Sequence, residues 1–86
     1  LNPHFMTGQI FHINRQRDMY SIRLTNGSFS VIETSEELEL GETITGNLDT
    51  LGSDTFKSVG RGNKFDCMVQ NIHCTQQFAS QRCLLR

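Results

Sequence analysis

The sequence predicts an all-β protein, a small antiparallel barrel, on three observations. Short runs with alternating apolar residues recur along the chain, and no segment shows a long helical stripe. Turn-forming residues separate these runs, most clearly at Asn26-Gly27. A chain of 86 residues buries only about 60–65% of its unfolded surface. Closing the sheet gathers one face into a core and removes the edges, so a barrel suits this length.

The first two strands are predicted at about Gly8–Asn14 and Met19–Leu24, joined by a polar hairpin tip. Ile10 and Ile13 are three residues apart, so strict alternation cannot turn both side chains inward. We therefore expect a β-bulge between them, which would bend the strand around a barrel corner. In the second strand one face carries Tyr20, Ile22 and Leu24, and the other face carries Met19, Ser21 and Arg23.

Asn26-Gly27 predicts a type I′ turn into a third strand, roughly Ser28–Glu33. Phe29 and Val31 share one face of that strand. The segment that follows, residues 34–42, is rich in glutamate, and we call it the acidic segment. It has room for a single helical turn at residues 35–38, which Ser35 could cap. A fourth strand is expected from Glu42 to Asn47 or Leu48.

Residues 49–63 contain three glycines and little periodicity, and they predict a long loop with a short extended piece at 55–59. The last strand is predicted at Lys64–Cys74, where a bulge near Gln70-Asn71 would bring five apolar side chains to one side: Phe65, Cys67, Val69, Ile72 and Cys74. We place one domain at residues 7–75. Residues 1–6 are expected to be a leader, with Met6 as the natural start, and residues 76–86 a polar tail, either a short helix packed on the barrel or loose.

Five strands in this length favour an OB-like barrel, with an SH3-like barrel as the alternative. The run Gly8-Gln9-Ile10, Asn14, Asn26-Gly27 and Val31 resembles the opening of the cold-shock-type RNA-binding barrels, and Leu40-Gly41-Glu42 is similar to the entry of their fourth strand. The resemblance implies an OB fold that binds single-stranded RNA. Those domains carry aromatic residues on the second and third strands, whereas this second strand offers Met19, Ser21 and Arg23.

Composition excludes several classes of protein. The net charge of −1 argues against a dedicated duplex-DNA binder, which is usually basic. No apolar run is long enough for a membrane span. Three cysteines, an odd number, favour free thiols in a reducing compartment, so we expect a cytoplasmic protein.

Basic residues suggest where a ligand would bind. In OB barrels the loops after the first and fourth strands flank the ligand face. Six cations lie on or near those segments and are expected to converge: Arg15, Arg17, Arg23, Lys57, Arg61 and Lys64. Five acids between Glu33 and Glu42 are expected to lie elsewhere. His12, Phe11 or Phe56 would supply stacking for single-stranded bases.

Other chemistry finds less support in the sequence. Cys67, His73 and Cys74 lack the paired spacing of a zinc site, so no metal or other cofactor is expected. No Ser or Cys is paired with a His and an acid, and we expect no enzyme activity. The leading hypothesis is a module that binds single-stranded RNA or DNA. The alternative is a non-enzymatic interaction module that docks a protein partner or forms a homodimer, for example edge to edge.

Overall fold

Six strands and one helix make up the fold in the computed structural model, which describes residues 5–85. The elements are β1 Met6–Asn14, β2 Met19–Leu24, β3 Phe29–Glu33, β4 Thr43–Gly46, β5 Gly52–Ser58, β6 Lys64–Cys74 and α1 Gln76–Leu84. Every pairing is antiparallel, and the barrel closes in the order β1-β2-β3-β6-β5-β4. The predicted all-β antiparallel barrel is therefore confirmed, with one strand more than expected.

The additional strand is β5, which lies within the predicted long loop. It pairs with β4 on one side and with β6 on the other. The alternation of apolar and polar residues in β5 is weak, because Phe56 is the one large apolar residue of this strand. The next inward position, two residues later, is the small buried Ser58. The remaining positions of β5 carry polar side chains or glycine, so the sequence shows little of the period-two pattern.

The bulge predicted in the first strand is present. The β1–β2 register shifts between Ile10 and His12, which leaves Phe11 as the extra residue. As a result Ile10 is buried in the barrel interior, and Ile13 packs against the same cluster. Met6 already belongs to β1, where it pairs with Gly46, while residues 1–4 of the predicted leader lie outside the described residues.

The last strand has the predicted boundaries but contains two irregularities. The register with β3 shifts once at Gln70, near the expected place, and again before Cys74, next to His73 with its φ of 55°. Ile72 still packs against the barrel interior, whereas Cys74 belongs to a separate cluster on the outside. The expectation that Cys74 faces inward is wrong, because the second shift reverses the parity.

The barrel interior forms the main core, built from inward side chains of all six strands together with Leu38 and Leu48. The Tyr20 hydroxyl donates to the carbonyl of Glu36 at 2.9 Å and accepts from the amide of Leu38 at 3.2 Å. These bonds hold the acidic segment over the barrel and keep Leu38 fully buried. The segment forms no helical turn at residues 35–38.

A second, smaller core lies outside the barrel beneath α1. Thr75 caps the helix by accepting a hydrogen bond from the amide of Phe78 at 3.1 Å. Ala79 and Cys83, on one helix face, pack against Met19, Phe29, Val31 and Cys74. Residues 76–84 of the tail thus form a helix packed on the barrel, the first of the two alternatives, while residue 86 lies outside the described residues. Met19 and Ser21, expected on an exposed face, are buried under it.

The turn at Asn26-Gly27 differs from the predicted type. Gly27 has a φ of 89°, but Asn26 does not have positive φ, so the turn is not type I′. The Leu24 carbonyl accepts from the amide of Gly27 at 2.9 Å, and the Leu24 amide donates to the carbonyl of Ser28. Asn26 is instead used through its side chain, which accepts from the amide of Ser28 at 2.9 Å.

Gly8 is expected to tolerate no larger residue. A Cβ there would lie 2.5 Å from Cγ2 of Ile22 and 2.7 Å from the carbonyl oxygen of Arg23, and backbone atoms cannot give way. Gly8→Ala should lower the free energy of unfolding by about 1–3 kcal/mol, as other overpacked substitutions do. Urea unfolding measures this, with Gly60→Ala as the control, because a Cβ at Gly60 meets nothing within 4 Å. Equal stability of the two variants would contradict the packing at Gly8.

Candidate functional site

Two of the six candidate cations are neutralised by the acidic segment. Arg15 donates to the Leu38 carbonyl at 3.0 Å and to a Glu39 carboxylate oxygen at 3.3 Å. Arg61 lies 2.8 Å from a carboxylate oxygen of Glu42 and 3.8 Å from one of Glu36. The expectation that the acids lie apart from the cations is therefore wrong for Arg15 and Arg61.

The partner of Arg61 is held firmly. The Glu42 side chain is only 11% exposed, and it also accepts from the Ser58 hydroxyl and from the amide of Glu39. Burial acts to raise the pKa of Glu42, but the hydrogen bonds from Ser58, Glu39 and Arg61, together with the charge of Arg61, outweigh it. The net pKa lies below the ordinary value, so this carboxylate stays charged and keeps Arg61 in place.

Arg17 is also used within the fold. Its guanidinium donates to the carbonyl of Leu85, directly after the last turn of α1. A cation at the C-terminal end of a helix satisfies a free carbonyl and complements the helix dipole. Arg17 thus fastens α1 to the β1–β2 hairpin and does not join the other cations.

The aromatic candidates differ in their exposure. Phe56 is 1% exposed and packs 6.4 Å from Phe65, centroid to centroid, inside the barrel. The hypothesis that Phe56 stacks on bases is wrong, since its ring faces the core. Phe11 is half-buried, with its ring edge-on to Phe29 at 5.3 Å. His12 is also half-buried, beside the helix.

Lys57 and Lys64 do come together. They are direct partners across the β5–β6 ladder, and both side chains are exposed. Like charges directly opposite one another in an antiparallel pair are destabilising. Within residues 5–85 neither ammonium lies within ion-pairing distance of a carboxylate. The β-sheet therefore holds two uncompensated positive charges side by side.

A row of outward side chains continues from this pair across the barrel. Lys57 pairs with Thr45 of β4, and Thr45 pairs with Thr7 of β1. All of them point outward, because their neighbours Ile44 and Phe56 point into the core. The row thus crosses four strands with two ammonium groups at one end and two hydroxyls at the other.

A second row runs parallel to the first, two residues farther along the strands. Gln9 of β1 pairs with Arg23 of β2 on one side and with Thr43 of β4 on the other. The Arg23 guanidinium lies 5.5 Å from the centroid of the Phe11 ring and, among the described residues, makes no ion pair. We call the two rows together the cationic face, which consists of Thr7, Gln9, Arg23, Thr43, Thr45, Lys57 and Lys64.

The cationic face is of a size to meet several phosphates. Adjacent strands lie about 4.8 Å apart, so the strands of Arg23 and Lys57 are separated by roughly 14 Å along the sheet. The rows themselves are about 7 Å apart. Acids mark its border: Asp66 accepts from the Thr55 hydroxyl at 3.0 Å, and Asp54 accepts from the Asn47 amide at 3.0 Å.

Phe5 is a residue that sequence reasoning missed. It is 53% exposed and lines a shallow pocket with Thr45, Lys57 and Lys64. Phe5 falls within the predicted leader, residues 1–6. The signal that could have found it is the alternation of Phe5, Thr7 and Gln9, which continues the outward face of β1.

The described part of the chain offers little support for a metal site or for a reactive cysteine. No group of three or more His, Cys, Asp or Glu side chains within residues 5–85 could hold a metal ion. All three cysteines are buried and unpaired. Burial, aided by the charges of Asp54 and Asp66, raises the pKa of Cys67 to about 12, and a protonated thiol is a poor nucleophile.

Comparison with protein-family models, with curated proteins and with solved structures gave no match. Among the described residues, the helix is too short and too polar to cross a membrane.

Proposed function

We propose that this protein binds single-stranded nucleic acid, RNA in the first place, on the cationic face. The observation that carries the proposal is the direct opposition of Lys57 and Lys64, neither of which has a carboxylate partner among residues 5–85. Such a pair weakens the fold by a few tenths of a kcal/mol to about 1 kcal/mol. A phosphate bound between the two ammonium groups would remove this repulsion. The repulsion in the free protein therefore favours binding of an anion at this pair.

The composition of the cationic face suits a single strand. Phe5 presents an exposed ring beside the lysines, and bases of a single strand can stack on such a ring. Hydroxyl and amide groups between the cations offer hydrogen bonds to sugars and phosphates. The resemblance of the first strands to cold-shock-type barrels supports the same ligand. Arg15, Arg17 and Arg61 are left out of the proposed contact, because carboxylates or a helix end occupy them.

Lys57→Glu tests the proposal, because it should change stability and binding in opposite directions. The new carboxylate would face Lys64 across the ladder, so the free energy of unfolding should stay equal or rise by up to about 1 kcal/mol. Affinity for a labelled single-stranded RNA should fall at least tenfold at low salt. Because Lys57→Glu removes one cation and places a carboxylate opposite Lys64, the slope of log affinity against log salt should also become shallower by at least about 0.7.

Lys57→Glu needs a control in which a cation outside the face is reversed. Arg82→Glu is a suitable control, because Arg82 lies in the last turn of α1 and outside the cationic face. The RNA affinity of this variant should stay within threefold of the wild-type value. The proposal fails if the wild-type protein binds no tighter than millimolar, if binding is indifferent to salt, or if both variants lose affinity equally.

A protein-interaction or self-association module is the second candidate. It is favoured by exposed apolar side chains at Phe78, Leu84 and Leu85, on α1 and directly after it. Light scattering distinguishes the two, because this candidate predicts a mass that rises with protein concentration and is unaffected by RNA. The buried unpaired thiols are consistent with a reducing compartment, and we place the protein in the cytoplasm as part of the proposal.

A further inference from the structure

A polar groove lies between α1 and β1, next to the cationic face. Its strand side is His12, and its helix side consists of Gln76, Gln77, Ser80 and Gln81. These four positions form two pairs at i and i+4, so they share one face of the helix. The adjoining face carries Ala79 and Cys83, which anchor α1 to the barrel. The groove is therefore built on an element whose position is fixed.

The imidazole of His12 is held in one orientation. Its Nδ1 lies 2.6 Å from the hydroxyl oxygen of Ser21, in hydrogen-bonding contact, and Ser21 itself is fully buried. The Phe11 ring meets the imidazole edge-on, with the centroids 4.9 Å apart. Since Nδ1 is engaged, Nε2 is the ring nitrogen left for a ligand. Burial lowers the pKa of His12, which favours the neutral form of the ring.

The helix side of the groove carries hydrogen-bonding groups that the fold does not use. Within residues 5–85 the side chains of Gln76, Gln77 and Gln81 make no hydrogen bond, and all three residues are exposed. Each amide offers both a donor and an acceptor. Such groups match the mixed donor and acceptor edge of a nucleobase. A phosphate would call for Lys or Arg side chains, and none of the described residues that line the groove is one of these.

We infer that this groove binds a nucleobase and reads its edge, with His12 stacking on or hydrogen-bonding to the base and the α1 glutamines selecting it. The inference rests on the proposed function, since it extends the same ligand along the surface. The connection is the series Arg23, Phe11 and His12: the guanidinium lies over the Phe11 ring, and that ring touches the imidazole. A strand whose phosphates lie on the cationic face would thus place a neighbouring base beside α1.

Binding of four homopolymeric RNA oligonucleotides, A, C, G and U, tests the inference. The wild-type protein should prefer one of them over the weakest by about tenfold, the discrimination expected of one or two well-placed base contacts. Gln77→Ala with Gln81→Ala should reduce this preference below threefold and leave the salt slope unchanged. Lys57→Gln is the matched variant on the cationic face, and it should weaken all four oligonucleotides alike and lower the salt slope. Both glutamines are exposed, so loss of the fold is not expected.

A second measurement makes the two proposals separable. The four nucleoside 5′-monophosphates are titrated while NMR follows the His12 ring and the side-chain amides of α1. Shifts at these groups support the groove, even if no oligonucleotide binds to the cationic face. Salt-dependent RNA binding without base preference and without shifts at His12 overturns the groove and leaves the proposed function standing. Absence of both kinds of binding overturns both.

Discussion

Replacement of Phe56 with alanine is expected to lower the free energy of unfolding by about 3–5 kcal/mol. The ring lies wholly inside the barrel, where it packs near Phe65 and against the backbone of Gly46. A Cβ at Gly46 would lie 2.7 Å from the Phe56 ring, so on that side the cavity left by alanine is lined by glycine backbone, which offers no side chain to fill the space. Small domains are stable by only about 5–15 kcal/mol, so the loss should be plain in urea unfolding.

Phe5→Ala is the matched control for Phe56→Ala, because it removes the same ring from the surface. Its free energy of unfolding should stay within about 0.5 kcal/mol of the wild-type value. Its affinity for single-stranded RNA should fall, since stacking on one aromatic side chain contributes about 1–3 kcal/mol per base. A Phe56→Ala protein that keeps its stability but loses RNA binding would contradict the buried position of Phe56.

Ala79→Asp is expected to destabilise the protein by about 3 kcal/mol or more, because it places a charge without a partner in a buried site. Ala79 is fully buried in the outer core, next to Met19 and Val31. The carboxylate can reach water only if α1 leaves the barrel, which would expose the apolar side chains beneath it. A dye that fluoresces on apolar surfaces should bind the variant, and helical circular dichroism should fall.

Gln77→Asp provides the comparison for Ala79→Asp, because it adds the same charge to the exposed face of the helix. An acid in the first turn interacts favourably with the helix dipole, so the stability should be unchanged or slightly higher. If both variants unfold at the same urea concentration as the wild-type protein, α1 does not pack on the barrel through Ala79.

Much of the barrel was predictable because local patterns decide it. The bulge in β1 follows from the spacing of Ile10 and Ile13, since two inward residues three apart cannot be reconciled in a regular strand. The boundaries of β2 follow from clear alternation between polar turns, and those of β6 from apolar residues whose alternation changes parity near Gln70. The number of strands could not be predicted from such local patterns. β5 has polar outward residues and one large inward residue, so it is recognised as a strand only through its pairing with β4 and β6.

The candidate site was predicted only in part, for a different reason. Sequence position shows that a cation lies near a loop, but not which carboxylate it meets. Arg15 and Arg61 reach acids 24 and 19 residues away, through contacts that arise only when the barrel closes. The opposition of Lys57 and Lys64 likewise depends on the β5–β6 register. Phe56 lies in β5, whose period-two pattern is hardly visible in the sequence, so the inward direction of its ring could not be predicted.

Closure of the barrel also limits how copies of the protein can associate. The ring is paired unevenly, because β4 and β5 share only the pairs Ile44–Ser58 and Thr45–Lys57. Among the described residues, residues 52–56 of β5 therefore have a paired strand on the β6 side alone. This short margin is where a strand from another copy is expected to add, whereas stacking of the whole sheet into cross-β fibrils would first require the ring to open.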